Sequence, residues 1–237
     1  MAKLLVVSLI TLAVVVGTYT TSVTKQEKNQ KIVALEKSKE RGKLAWYAEY
    51  AKAKGETRIS KPAPLVEYVT EVTDINEVMS HYNLLVVQPV ERRSYAQGDA
   101  RIITWNKFKI IEDLSRSRIK QCSDCTIQGI APAEMLPLQS DEILVPKYGG
   151  TITIDGVEIT MVETDFPQFD PSKKYVLFLE ADASGLWGRI MVGPGGVFTL
   201  HDNEKLIPIN SREHSLKTII QQDYDNSFSE LKVKVKS

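Results

Sequence analysis

Five consecutive apolar residues, Tyr175-Val176-Leu177-Phe178-Leu179, constrain this chain more than any other stretch. Turn-forming residues flank them, Asp170-Pro171-Ser172 before and Asp182-Ala183-Ser184-Gly185 after. The run is too short for a buried helix and rich in β-branched and aromatic types, so it reads as a strand. Side chains alternate across a strand, which sends Tyr175, Leu177 and Leu179 to one side and Val176 and Phe178 to the other. Both sides must then be covered, by curling the sheet into a barrel or by packing helices on it. The pattern continues with a strand over Trp187–Val192, a turn at Gly193-Pro194-Gly195-Gly196, a strand over Val197–Leu200 and a turn at Asp202-Asn203. A last strand over Leu206–Ile209 contains Pro208, which lacks an N–H and marks an edge or a break.

Upstream of this run the expected elements alternate between short helices and strands. Lys25 to Gly55 is charged and helix-prone, with two small apolar groups on either side of Gly42. It predicts one or two solvated helices. Ile59 to Pro64, with its two prolines, reads as a linker, and Val66–Val72 alternates like a short strand. Asp74-Ile75-Asn76-Glu77 is a capping box that opens a helix to Tyr82. Leu84–Val87 is a buried strand, and Arg92–Ala100 a polar hairpin loop. Arg101–Leu114 is a long strand whose apolar period shifts between Trp105 and Phe108, which predicts a bulge. Ser115–Ser140 reads as an irregular excursion. Ile143–Val145, Thr151–Ile154 and Val157–Val162 are strands, the last two joined by a two-residue turn at Asp155-Gly156. Helices are expected over Ser211–Tyr224 and from the capping box Ser227-Phe228-Ser229-Glu230 onward.

The N-terminus bears on compartment. Met1-Ala2-Lys3 is a short positive start, and Leu4–Gly17 is apolar apart from Ser8 and Thr11. That is the layout of a secretory signal peptide. The uncharged stretch runs on to Thr24, approaching the ~20 residues of a membrane-spanning helix, so an uncleaved anchor stays open beside the signal. In that case Lys25, Lys28 and Lys31 outnumber Lys3 and favour a cytoplasmic body. Export is the preferred reading. The expected organisation is a signal or anchor over 1–24, a charged helical stalk and linker over 25–64, and a β-domain with C-terminal helices over 65–237.

Among motifs that carry chemistry, the pair Cys122 and Cys125 comes first. Outside the cytoplasm its default is a local disulfide. Free thiols, a redox-active pair or half of a zinc site are the alternatives. A zinc site would need two further ligands, and His81, His201 and His214 have no ligand-like spacing. No Gly-x-Ser-x-Gly is present, and His201-Asp202 reads as a solvated turn. Gly193–Gly196 lacks the lysine and helix of a phosphate loop. Asp165, Asp170 and Asp182 lack calcium-loop spacing. Trp105, Trp187 and Tyr148 could form an aromatic platform, with core packing the preferred reading. No cofactor is implied. The 30 basic and 30 acidic residues cancel, which gives no support for a nucleic-acid surface.

The order of these motifs is similar to that of a group of uncharacterised exported bacterial proteins. Its elements here are the helix and Val-Val strand of Asp74–Val87, the turn Gly149-Gly150, the strand Tyr175–Leu179 and the Gly-x-Phe strand Gly196–Phe198. The resemblance implies a small β-barrel like those of OB-fold and netrin-like domains, and it carries no catalytic residues. The chain lacks the N-terminal cysteine framework of netrin-like inhibitors, so a protease-inhibitor role gains little from it. The expectation is a mainly β protein with flanking helices, a small closed or partly open antiparallel OB-like barrel and an N-terminal helical extension. Its expected function is an exported or membrane-tethered binding module, with an envelope protein or small ligand as partner. An envelope thiol-disulfide oxidoreductase using Cys122 and Cys125 is the alternative. The loops at Tyr148-Gly149-Gly150, at Trp187 and at Gly193, Gly195 and Gly196 are the candidate ligand positions.

Overall fold

The computed structural model describes residues 25–63, 72–115, 132–181, 188–190, 193–210 and 214–237. Cys122, Cys125, Trp187 and the 1–24 segment lie outside the described residues. No helix among the described residues is long and apolar enough to cross a membrane. The chain divides into two compact units: residues to Ser60 with Thr153–Thr160, and Lys61–Ile152 with Met161–Ser237.

In the first unit, helix α1 (25–36) and helix α2 (Leu44–Lys54) are joined through Gly42, whose φ of 96° suits only glycine. Trp46 fixes the pair. Its indole N–H donates to Leu35 O at 2.7 Å and its ring stacks on Tyr50 at 4.8 Å. The Tyr50 hydroxyl reaches back to Glu36. Asp155 and Gly156, both at positive φ, form the expected two-residue turn.

A three-stranded sheet has the order β1 (Arg58–Pro62), β6 (Val157–Val162), β5 (Gly150–Ile154). Of the segment read as a proline linker over Ile59–Pro64, Ile59–Pro62 is therefore strand, part of β1, and Pro64 lies outside the described residues. β1 lies at the sheet edge and Pro62 is its last residue, where a missing N–H costs no ladder bond.

The second unit is built on a seven-stranded sheet. Its path is β10 (Leu206–Pro208), β9 (Val197–Leu200), β7 (Lys174–Ala181), β2 (Asn83–Gln97), β3 (Arg101–Asp113), β4 (Glu142–Tyr148), with β8 (Gly188–Arg189) paired to β7. The recorded pairings within it are antiparallel. β10, with Pro208, is at an edge as expected. Of the strand predicted over Trp187–Val192, only Gly188–Arg189 is strand among the described residues. Among them, no pairing of β10 with β4 closes the sheet into a barrel.

The alternation read in Tyr175–Leu179 sorts the core. Val176 and Phe178 join Leu84, Val86 and Phe198 beneath three helices. These are α3 (Ile75–His81), α4 (Ser215–Tyr224) and α5 (Phe228–Lys236), which bury Val78, Leu216, Ile220, Phe228 and Leu231 on that face. Tyr175, Leu177 and Leu179 join Leu85, Val87, Phe108, Ile143, Phe166 and Phe169 on the other. Capping follows the sequence. Asp74 accepts from the N–H groups of Asn76 and Glu77, while Glu77 turns back to Thr73. Ser227 accepts from Glu230 N.

The β2–β3 hairpin corrects one expectation and refines another. Arg92–Gln97 is strand and not loop, because cross-strand pairs such as Arg93↔Trp105 and Tyr95↔Ile103 carry the ladder to the turn at Gly98. The register does shift between Trp105 and Phe108, but the extra residue is on the partner strand: Phe108 pairs with Pro89 and Lys107 with Glu91, which leaves Val90 of β2 without a partner. A second shift leaves Ile111 of β3 without one. Trp105 and Phe108 face opposite sides of the sheet, and each side has its own core cluster. Both residues are thus buried, and the slip between them is taken up by β2.

Candidate functional site

The buried polar and charged residues among those described are Asn83, Thr104, Asn106 and Lys147. Three of these four stand on one face of the β3–β4 pair, where Thr104 is opposite Lys147 and Asn106 opposite Val145. Ser94 of β2 is opposite Thr104, so a polar row crosses three strands. Polar groups in such a place must find partners, because an unpaired one costs about 1–3 kcal/mol.

The hydroxyls form a directed chain. Thr104 Oγ1 donates to Gly149 O at 2.7 Å. Its single proton is then committed, so Ser94 must be the donor in the 2.8 Å contact between the two hydroxyls. Ser94 Oγ in turn accepts from Thr151 N at 3.4 Å. Asn106 Nδ2 donates to Val145 O and Thr104 O. Gly149 and Gly150 are the corner this chain ties down. Both are buried at positive φ, and a Cβ on Gly150 would sit 2.1 Å from Thr104 Oγ1.

Lys147 lies at the end of the row with its side chain 2% exposed. Its ammonium donates to Phe166 O and to Pro167 O and stands 4.7 Å above the Phe166 ring. Glu163 Oε2 is 3.9 Å away, an ion pair without a hydrogen bond. Burial pushes the lysine down to about 8, and the carboxylate only partly opposes it. Desolvation wins because a carboxylate at that distance cannot replace a hydration shell. Lysine 147 therefore pins the 163–170 segment to the sheet. That segment also carries Phe169, packed edge-on with Phe108, Phe166 and Tyr175, and the Tyr175 hydroxyl accepts from Asp170 N.

The remaining candidates fall elsewhere. Tyr148 is half-buried beside Trp105, Met135 and Leu144, with the Arg101 guanidinium 5.9 Å above its ring. Trp105 is 3% exposed and leaves no open face for a platform. Gly193, Gly195 and Gly196 belong to a 3-10 turn. A Cβ on Gly195 would lie 2.7 Å from the His214 ring. His214 caps α4, its Nδ1 accepting from Leu216 N. Burial lowers its pKa. His201 and Asp202 are exposed. Asp170 accepts from the Ser172 N–H and hydroxyl, a local turn contact. Among the described residues no group of three or more His, Cys, Asp or Glu is placed to hold a metal.

The sequence reading missed Lys147 and His214. Lys147 had a signal: it stands two and four residues from Val145 and Ile143, on the apolar face of its strand. His214 had none, since its seat is a glycine 19 residues away in a different turn.

Fold and site define a mainly β protein, an antiparallel sheet with helices on one face and a buried polar corner on the other. Comparison with known proteins finds no matching family model, no similar curated protein and no similar solved structure.

Proposed function

We propose that this chain is an exported or membrane-tethered binding module on a partly open, OB-like barrel, and that its partner is another envelope protein or a small ligand. One observation carries the reading. The chemistry-bearing groups of the buried corner are directed at the protein's own backbone: Thr104 at Gly149 O, Asn106 at Val145 O, Lys147 at Phe166 O and Pro167 O. They stiffen a scaffold, which leaves function to the surface that the scaffold presents. Support for the partly open barrel comes from β8. A Cβ on Gly188 would lie 2.6 Å from Leu179 on β7 and 3.4 Å from Ile143 on β4, so the sheet curls enough to bring these strands to one place. The bulges at Val90 and Ile111 add to that bend. They also leave Val90 55% and Ile111 45% exposed, two apolar side chains on the hairpin.

Cell fractionation with N-terminal sequencing of the native protein tests the compartment. Recovery of an unprocessed chain in the cytosol overturns it. A photo-crosslinker at Val90 or Ile111 tests the module. The reading expects one adduct that is lost on Val90→Asp or Ile111→Asp with folding intact. Disulfide exchange by the purified protein that disappears in Cys122→Ser and Cys125→Ser would replace it with the oxidoreductase.

A further inference from the structure

The contact between His214 and Gly195 joins two elements. The 3-10 turn Gly193–Gly196 leads directly into β9, and His214 is the residue from which α4 starts. His214 Nδ1 accepts from Leu216 N at 3.1 Å, so that nitrogen carries no proton. Behind the ring there is no space: a Cβ at position 195 would meet its Cγ and Cδ2 at 2.7 Å. The ring is thus packed on bare backbone while it closes the first turn of the helix. That turn begins the helix whose Leu216, Ile219 and Ile220 cover the sheet.

We propose that His214 is a pH-operated latch on α4: the neutral imidazole, seated on Gly195, holds the first helical turn closed, and its protonation opens that turn. An imidazolium has two donors and no acceptor, so the bond from Leu216 N–H is lost. Its charge also stands at the positive end of the helix dipole. Both effects act in the same direction. Burial keeps the ring neutral at neutral pH, so the latch is closed there. The Gly193–Gly196 turn has no charged residue, α4 contributes half-buried Lys217 in its first turn, and Arg212 and Glu213 adjoin His214 in sequence. Ser215 is engaged by Val72 N.

Hydrogen exchange at the Leu216 amide of the full chain, corrected for the intrinsic pH dependence, tests this. Between about pH 7.5 and about pH 5 its protection should fall roughly fivefold or more, with Leu231 in α5 unchanged. His214→Asn, an uncharged cap, should abolish the dependence, and Glu213→Gln should retain it. Flat protection in the wild type, or the same fall in His214→Asn, overturns the latch. Should His214→Asn fail to fold, the imidazole titration of the wild type decides. The Leu216 amide shift must follow His214 and not any other group, and an amide that does not move as His214 titrates overturns the proposal.

Discussion

Gly150 has no room for a methyl group. Its φ is 129°, and Thr104 Oγ1 and Ser94 Oγ occupy the place of a Cβ. Gly150→Ala is expected to cost about 2–4 kcal/mol in urea denaturation, since clash and strain add. Gly156→Ala, at φ 79° with open space around it, is the control and should cost only about 1–2 kcal/mol of strain. Lys147 gives a test with a different readout. Its pKa is about 8 in the fold against an ordinary 10.5, so the unfolded chain binds the proton more tightly and holding it charged costs stability at neutral pH. That cost is relieved as pH rises from about 8 to 10.5, by on the order of 3 kcal/mol in full. Lys147→Met should show no rise in that window. Glu163→Gln should lower the lysine further, because the carboxylate is what raises it.

Helix α5 is fastened to the sheet at an element's length from its cap. Glu112 of β3 pairs with Lys232 at 2.7 Å and Lys236 at 3.2 Å, and the hydrogen bond from Lys232 leads in lowering its pKa. These groups are about one-third exposed or more, so Glu112→Gln should cost under about 1 kcal/mol, less at high salt. Ser227→Ala, which removes the cap, should cost about 1 kcal/mol at any salt. Such caps were legible, as were the faces of β7 and the Asp155-Gly156 turn, because each is set by residues within a few positions. The outer half of β2 was not. Arg92–Gln97 is polar because that part of the hairpin is largely solvated, and polarity alone resembles a loop. The period shift between Trp105 and Phe108 marked a real register shift, but not the strand that carries the extra residue, because that depends on the partner β2 and both faces around Trp105 are buried. Lys147 was passed over because a charged residue in a strand reads as surface, although its spacing from Val145 and Ile143 set it on the apolar face.

At the scale of the molecule, the titrating groups combine into one profile. Glu77, Glu112 and Asp170 are lowered from 4.5, 4.5 and 3.8, so their contributions are present above those values and lost in acid. His214 is lowered from 6.5, so stability declines as pH falls below that value. Lys147 adds its gain above about 8, and Tyr175, raised from 10.0 chiefly by burial, turns the curve down in stronger alkali. A denaturation series should therefore show stability climbing with pH, level between about 6.5 and 8. The pairing of β2 with β7 has a consequence for how the chain is made. Asn83 meets Leu179 across a separation of 96 residues, and its amide donates to Leu179 O. Until the ribosome has delivered Leu179, one edge of Leu84–Val87 is bare and apolar on both faces, while β3 can already close the other. A nascent chain in that condition is prone to stick to its neighbours and needs an escort. The final architecture can assemble only after most of the polypeptide is present, whichever side of a membrane it matures on.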